Sequence, residues 1–341
     1  RHLRDVRLRR PIHTTTPVPD PNPLSAGIGS AGQPLYARVQ VGVAIVTYNS
    51  ADHIPDLLLT LRQALAGISH RIVVADNAST DNSVALLEAA GIDVVRMGGN
   101  LGYSAGINAG LRRLTDTRAV LILNPDMKLA PGSISALFDT LEDPRVGIVA
   151  PQSRSYDGTL GLNQRRDPSL LRAFGTSLLG GRYARRWPAL SEFVADEQAY
   201  LHQCNIDWGV GAMLLVTREC IDAVGEWDES FFLYSEETDY CQRARRMGFV
   251  VRYQPDAVAF HEGGGGVRNP RLRSMMVVNK VRLYRRRHDV VRSFLFWTAE
   301  FLNEFTRGLG GNRAARTAAL ALLFPSRRPP EISCSTSLLP R

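Results

Sequence analysis

Apolar and polar positions follow two rhythms along this chain. VQVGVAIVT (39–47) alternates and then runs apolar, which predicts a strand entering a core. Tyr48-Asn49-Ser50 reads as a turn, and His53–Ala66 carries apolar residues at 54, 57, 58, 61 and 65, the spacing of one helix face. The unit then repeats. RIVVAD (71–76) predicts a strand, Asn77–Asp81 a turn, and Ser83–Ala90 a helix closed by Gly91. IDVVRM (92–97) predicts a third strand, followed by a glycine-rich loop and a helix over Ala105–Leu114. Ala119–Leu123, five apolar residues, is too short for a helix face and suits a fourth, buried strand.

Strand–helix alternation at this spacing predicts an α/β fold with a doubly wound, mostly parallel sheet. Each strand ends in polar residues: Thr47 and Asn49, Asp76 and Asn77, Asn100 and Gly102, Asn124 and Asp126. Ligands of open α/β sheets sit outside the carboxyl ends of the strands. Four polar ends on one edge therefore predict a nucleotide site. Asn124-Pro125-Asp126 taken alone reads more readily as a β-turn.

The second half is less regular. A helix is expected over Ser133–Leu141 and a strand over VGIVAP (146–151), whereas 152–205 shows loops, two Arg pairs and no clear period. WGVGAMLLVTREC (208–220) reads as a strand and a helix start. Ser235 is the expected N-cap of a three-turn helix closed by Gly248, with Glu236 and Glu237 in its first turn. Glu237, Tyr240, Cys241 and Ala244 share its inner face, leaving Arg243 and Arg246 to water.

Charge is unevenly spread. The net value is +8, but residues 1–40 hold six Arg and two acids, residues 268–341 hold fifteen Lys+Arg and four acids, and the middle is acidic at −7. An acidic body argues against a nucleic-acid groove through the core, and the basic C-terminal part suits either an anionic phospholipid surface or plain solvent. The four Cys show neither CxxC nor zinc-ligand spacing, which suits free thiols in a reducing compartment. No apolar run reaches the ~18–20 residues that span a bilayer. The turn after the first strand, TYNSADH, has no glycine, so a dinucleotide-binding fingerprint is missing; a P-loop is missing too, and the chain has only two Lys.

Seven segments, in order, carry a resemblance: AIVTYNS (44–50), ADNASTDNS (75–83), GNLGYSAGINAGL (99–111), LILNPD (121–126), GAMLLVTREC (211–220), FFLYSEETDYCQRARRMGF (231–249) and HEGGG (261–265). Over about residues 41–285 the chain resembles the inverting glycosyltransferases of family 2, which have the GT-A fold, and within them the bacterial rhamnosyltransferases that build cell-surface polysaccharide on lipid carriers. The domains expected are a basic, Pro-rich appendage (1–38), a catalytic domain (39–270) whose nucleotide-binding half is 39–130 and acceptor half 131–270, a basic amphipathic helical region (271–325) and a tail (326–341). A non-catalytic sugar-nucleotide or glycan-binding module on the same fold is the alternative. A nucleotidyltransferase would carry a Gly-rich basic loop where TYNSADH stands.

The resemblance implies roles residue by residue. Asp76 holds the donor base, with Thr47 and Asn49 beside it, and Asn100 and Gly102 lie against the nucleotide. Asn124-Pro125-Asp126 stands in the place of an Asp-x-Asp motif, with Asn124 toward the ribose. Asp126 and His261 hold Mg²⁺ or Mn²⁺, both of which take oxygen and imidazole donors. Glu237 is the general base, with Glu236 the fallback. Trp208, Gly209 and Gly211 meet the acceptor sugar, although Trp208 reads as readily as a core residue. Gly263–Gly266 forms a mobile loop, and Arg268, Arg271 and Arg273 serve a lipid-linked diphosphate. The implied substrates are a dTDP- or UDP-sugar and a lipid-linked saccharide, met on the cytoplasmic face of the membrane. There the RLYRRRH cluster (282–288) and the stripe Phe294, Trp297, Phe301 and Phe305 are expected to lie in the headgroup plane, with Glu300 and Glu304 opposite.

Overall fold

The computed structural model describes residues 39–261 and 268–332. In chain order the first half holds β1 (Val39–Thr47), α1 (Ile54–Ala64), β2 (His70–Asp76), α2 (Ser83–Ala89), β3 (Asp93–Arg96), α3 (Tyr103–Arg113), β4 (Thr117–Leu123), β5 (Lys128–Leu129) and α4 (Ser133–Asp139). The second half holds β6 (Val146–Arg154), β7 (Gln164–Arg165), α5 (Leu170–Leu179), α6 (Gly181–Ala184), β8 (Cys204–Asn205), β9 (Trp208–Gly209), β10 (Met213–Thr217), α7 (Arg218–Val224), α8 (Glu236–Arg246) and β11 (Val250–Phe260). Three C-terminal helices follow: α9 (Pro270–Arg285), α10 (Val290–Leu309) and α11 (Arg313–Leu323).

The main sheet runs β3-β2-β1-β4-β10-β6-β11-β5, with β8 added to β11. β3, β2, β1 and β4 are parallel. The chain starts in the middle of this run, moves out to β3 and returns to the far side of β1, so the crevice between the ends of β1 and β4 is the switch point where α/β sheets bind ligands. β10 is antiparallel to both β4 and β6, an insertion that the alternation of elements did not show.

Strands buried on both faces read as continuous apolar runs, and β1 and β4 are buried along nearly their whole length. One core packs α1 and α4 on one face; the other packs α3, α7 and α8 on the opposite face. α3 lies unusually close to β1, because a Cβ on Gly106 would come within 2.5 Å of Val46 Cγ1. This close approach brings the start of α3 down to the switch point.

α9, α10, α11 and α5 form a third core. α5 falls in the stretch where no period was read; its apolar residues serve a helical neighbour rather than the sheet. Buried charge joins α9 to α10, and Lys280 ties them to Glu192 of the body. Arg273 and Glu304, each 2% exposed at the side chain, form a two-point pair at 2.5 and 2.8 Å. Lys280 sits between Glu192 and Glu300 at 2.6 and 2.7 Å. The RLYRRRH cluster is likewise engaged internally and is not free for a membrane: Arg282 donates to the Ser230 carbonyl, Arg286 pairs with Asp228 and Arg287 with Asp239.

Removing one partner of a buried pair leaves an uncompensated charge, which costs about 3–5 kcal/mol. Glu304→Gln should lower stability by about that amount in chemical denaturation, and Arg273→Met with Glu304→Leu should recover most of it. A Glu304→Gln chain that unfolds at the wild-type midpoint would show that the pair holds nothing together.

Candidate active site

The donor end is built where β1 and β2 finish side by side, with Thr47 opposite Asp76. Thr47 Oγ1 donates to Asp76 Oδ1 at 2.9 Å, while the Ser79 N–H and hydroxyl donate to the same carboxylate at 2.9 and 2.5 Å. Asp76 is buried with these donors around it. Asn49 adopts a left-handed φ of 50°, and its Oδ1 accepts from the Thr80 N–H. Asn77 donates to the Gly102 carbonyl at 3.1 Å, and Asn100 Oδ1 accepts from the Gly102 N–H at 3.2 Å. Thr47, Asn49, Asp76, Asn100 and Gly102 thus gather on one edge, with Asn49 and Asn100 exposed.

Beyond β4 the Asn124 N–H donates to the Ala212 carbonyl, which turns the next residues toward the crevice. Asp126 Oδ2 lies 3.1 Å from His261 Nε2, while Asp126 Oδ1 is buried with no partner among the described residues. Burial pushes the Asp126 carboxyl up, but the hydrogen bond and charge of His261 outweigh it and hold it below its ordinary value. His53, Asp56, Pro125, Asp126, Met127, Lys128 and Tyr156 line a cavity here. An orphaned carboxylate oxygen beside an imidazole nitrogen fits a hard divalent cation whose remaining positions a diphosphate would fill. No group of three or more metal-ligating side chains occurs among the described residues.

A second cluster also acts on Tyr103, whose hydroxyl feels the charges of Asp126, Glu236 and Glu237 alike. The loop before α8 holds three non-glycine residues in left-handed backbone: Phe232, Tyr234 and Ser235, with φ of 60°, 68° and 75°. Ser235 is the residue before the helix, as expected, but in this conformation its side chain makes no cap. The loop is pinned from both sides. The Tyr103 N–H donates to the Phe232 carbonyl at 2.6 Å, and Asn279 Nδ2 on α9 donates to the carbonyls of Phe231, Leu233 and Tyr234. Gly102 has φ +93°, and a Cβ there would lie 2.5 Å from the Phe232 carbonyl oxygen.

This loop delivers Glu236 and Glu237 together, each with an unpartnered, buried Oε2. Burial pushes both carboxyls up, Glu236 well above its ordinary value because the Glu237 charge adds to it. Glu237 is raised less: backbone N–H groups, that of Gly211 among them, and the charge of Arg165 favour its ionised form. Glu236 is therefore the more strongly raised of the two. The Tyr103 hydroxyl, raised by burial and by the charges of Glu236, Glu237 and Asp126, stays protonated and donates to the Gly211 carbonyl at 3.0 Å. Arg243, expected in water, is half-buried, with Asp239 at 2.7 Å and the Val224 carbonyl at 2.9 Å.

Gly211 packs against Glu237, since a Cβ there would lie 3.1 Å from Glu237 Cβ. Trp208 and Gly209 form β9, and the Trp208 indole N–H donates to the Arg166 carbonyl at 3.1 Å. Of the three arginines expected at a lipid-linked diphosphate, Arg273 is spent on Glu304 and Arg271 on Glu331; Arg268 is exposed beside residues 262–267, where the expected glycine loop lies outside the described residues.

The model of glycosyl transferase family 2 matches residues 42–213, half of the chain. The N-acetylglucosaminyl-diphospho-decaprenol L-rhamnosyltransferase of Mycobacterium tuberculosis is 31% identical over 234 residues, 64% of this chain and 75% of that protein. The chain belongs to glycosyltransferase family 2. It is also 25% identical to the rhamnosyltransferase WbbL of Escherichia coli over 65% of this chain and 83% of that one. Its fold matches a Pyrobaculum calidifontis mannosyltransferase solved with GDP-mannose and Mn²⁺, at a TM-score of 0.53 and 19% identity, covering 84% of this chain and 76% of that one.

Family 2 enzymes are inverting glycosyltransferases of GT-A fold, and this member has the fold in full. Three contributors to its site escaped the sequence reading. Tyr103 was signalled only as an aromatic after the glycine turn. Asn279 lies far along the chain in a helix with no family motif. Arg165 fell in the aperiodic stretch.

A family 2 base works deprotonated, and burial raises the Glu237 carboxyl. The acid limb of kcat/KM against pH should therefore lie above the ordinary glutamate value of 4.5, with activity lost as pH falls through it. A limb at or below 4.5 would remove Glu237 from the role.

Proposed function

We propose that this glycosyltransferase moves a sugar, rhamnose, from a dTDP- or UDP-sugar to a hydroxyl of a lipid-linked saccharide at the inner face of a bacterial cell membrane, with Mg²⁺ or Mn²⁺ as cofactor. The observation that carries the reading is that the Asp126–His261 pair and the Glu236–Glu237 pair meet at one residue, Tyr103, whose hydroxyl feels the charges of Asp126, Glu236 and Glu237. The activities of the mycobacterial and E. coli relatives support the sugar, and the diphospho-decaprenol substrate of the mycobacterial relative supports a diphospho-lipid acceptor.

In this reading Asp76, Thr47 and Asn49 orient the base, and Asn124 meets the ribose. Asp126 and His261 would hold the cation, whose charge neutralises the departing diphosphate. The acceptor sugar lies against Trp208, Gly209 and Gly211. Glu237 takes the proton from the acceptor hydroxyl as its oxygen attacks the anomeric carbon from the face opposite the nucleotide, so the new bond has inverted configuration.

Glu237→Gln keeps the size and hydrogen bonding but cannot accept a proton, so turnover should fall ~10²–10⁴-fold with donor affinity kept. Glu236→Gln resembles the protonated form and should be milder. Asp126→Ala should abolish transfer and weaken donor binding. A donor panel scored by nucleoside diphosphate release checks all three; normal turnover of Asp126→Ala with chelator present would overturn the donor assignment.

The bilayer partner rests on how α10 is turned. No helix among the described residues is long and apolar enough to cross a membrane. α10 buries Glu300, Asn303 and Glu304 and exposes Phe294, Leu295, Phe305 and Leu309; Trp297 and Phe301 are half-covered. The outward charges of this region are Arg292, paired with the exposed N-cap Asp289, and Arg313, Arg316 and Arg327. Outward aromatics with a net positive rim suit a helix lying in an anionic interface, where each unpaired Arg contributes about 1 kcal/mol that falls with salt. Phe294→Ser with Phe305→Ser should abolish salt-sensitive binding to anionic liposomes while transfer to a detergent-soluble acceptor persists. Unchanged liposome binding would contradict the assignment.

A further inference from the structure

Arg165 lies on β7, paired across to Trp208 on β9, and its backbone also bridges to Phe193. Its guanidinium stacks 3.6 Å from the Phe193 ring centre and 5.9 Å from that of Trp208. Arg185, from just after α6, stacks on the same Phe193 ring at 4.3 Å. Two positive groups are therefore gathered on one aromatic ring. Arg165 Nη1 is buried and has no hydrogen-bond partner among the described residues. Glu192, beside Phe193 in the chain, is engaged by Lys280 instead.

Such an arrangement is unfavourable by itself. Burial pulls the Arg165 guanidinium down to about 10; the charge of Arg185 adds to this, while the charges of Glu192 and Glu237 oppose it. A buried, half-satisfied cation beside a second cation calls for an anion that meets both. Planar guanidinium groups bind phosphate oxygens through two parallel N–H bonds, which gives a pair of them a natural match to two linked phosphates. The position also matters. β7 and β9 carry Arg165 next to Trp208-Gly209, two residues before Gly211 at the base, and the Glu237 charge is felt at Arg165.

We propose that Arg165 and Arg185, held on Phe193, form the binding site for the diphosphate of the lipid-linked acceptor. The inference rests on the acceptor reading given above and adds a site to it: the saccharide lies at Trp208 and Gly211, and its diphosphate continues to the two arginines. They replace Arg271 and Arg273, whose side chains are engaged within the protein.

The shared chemistry, a diphosphate, also occurs in the donor, so the test separates the two. Inorganic diphosphate is titrated calorimetrically into the full chain with chelator present. Arg165→Gln and Arg185→Gln should each weaken binding ~10-fold or more, the effect of losing hydrogen bonds to a charged group, while Asp126→Ala should bind as wild type. Arg185 is exposed, so its variant tests the site even if Arg165→Gln fails to fold. Binding that is lost in Asp126→Ala and kept in both arginine variants would place diphosphate at the donor site and overturn the proposal, as would no binding to wild type.

A kinetic arm uses one saccharide on a prenyl diphosphate and on a neutral alkyl chain. Arg185→Gln should raise KM for the first ~10-fold and leave the second, kcat and donor KM unchanged. Equal loss on both acceptors would make the arginines structural and overturn the site. Arginine-dependent binding of diphosphate without transfer to either acceptor would instead keep the site and defeat the acceptor reading.

Discussion

The structure depends on one strained loop being held still. Phe232, Tyr234 and Ser235 are in left-handed backbone that L-residues adopt at a cost of order 1–3 kcal/mol each. That conformation persists because two donors from distant parts of the chain meet its carbonyls, the Tyr103 N–H at the start of α3 and the Asn279 amide on α9. The result is a helix that begins with two carboxylates facing inward where Ser235 cannot cap it. Strain of this kind is found where function requires a geometry that packing alone would not choose.

The same constraint explains why the C-terminal helices belong to the catalytic body. α9 provides Asn279, and α9 is fixed in turn by Arg273 to Glu304 and by Lys280 to Glu300 on α10. The two carboxylates of α10 are consumed inside, which leaves aromatic and arginine side chains outside. A basic C-terminal region in the sequence therefore becomes two populations in the fold: one that neutralises buried acids and holds the loop before α8, and one that faces out. Charge counting could not divide them.

Much of the α/β half was legible, because buried strands and amphipathic helices imprint their periods on sequence and each strand end announces itself with polar residues. Thr47, Asp76, Asn100, Gly102 and Asp126 were found this way and do gather on one sheet edge. The antiparallel β10 was not legible, since an apolar run of five residues has no direction. Nor were Tyr103, Asn279 and Arg165, whose roles come from contacts made 45 to 129 positions away in the chain or from a stretch with no period. Glu300 and Glu304 show the limit from the other side: the hydrophobic stripe of α10 was correctly placed, but only the buried partners Lys280 and Arg273 decide which face turns inward.

The most direct test of the account is the anomeric configuration of the product. With a dTDP- or UDP-sugar of known configuration, a divalent cation and a lipid-linked saccharide, NMR coupling constants of the new glycosidic bond should show a single anomer opposite to that of the donor. A product that retains the donor configuration would contradict a one-step displacement assisted by Glu237. Donor that binds and is never transferred would reduce the site to a sugar-nucleotide receptor.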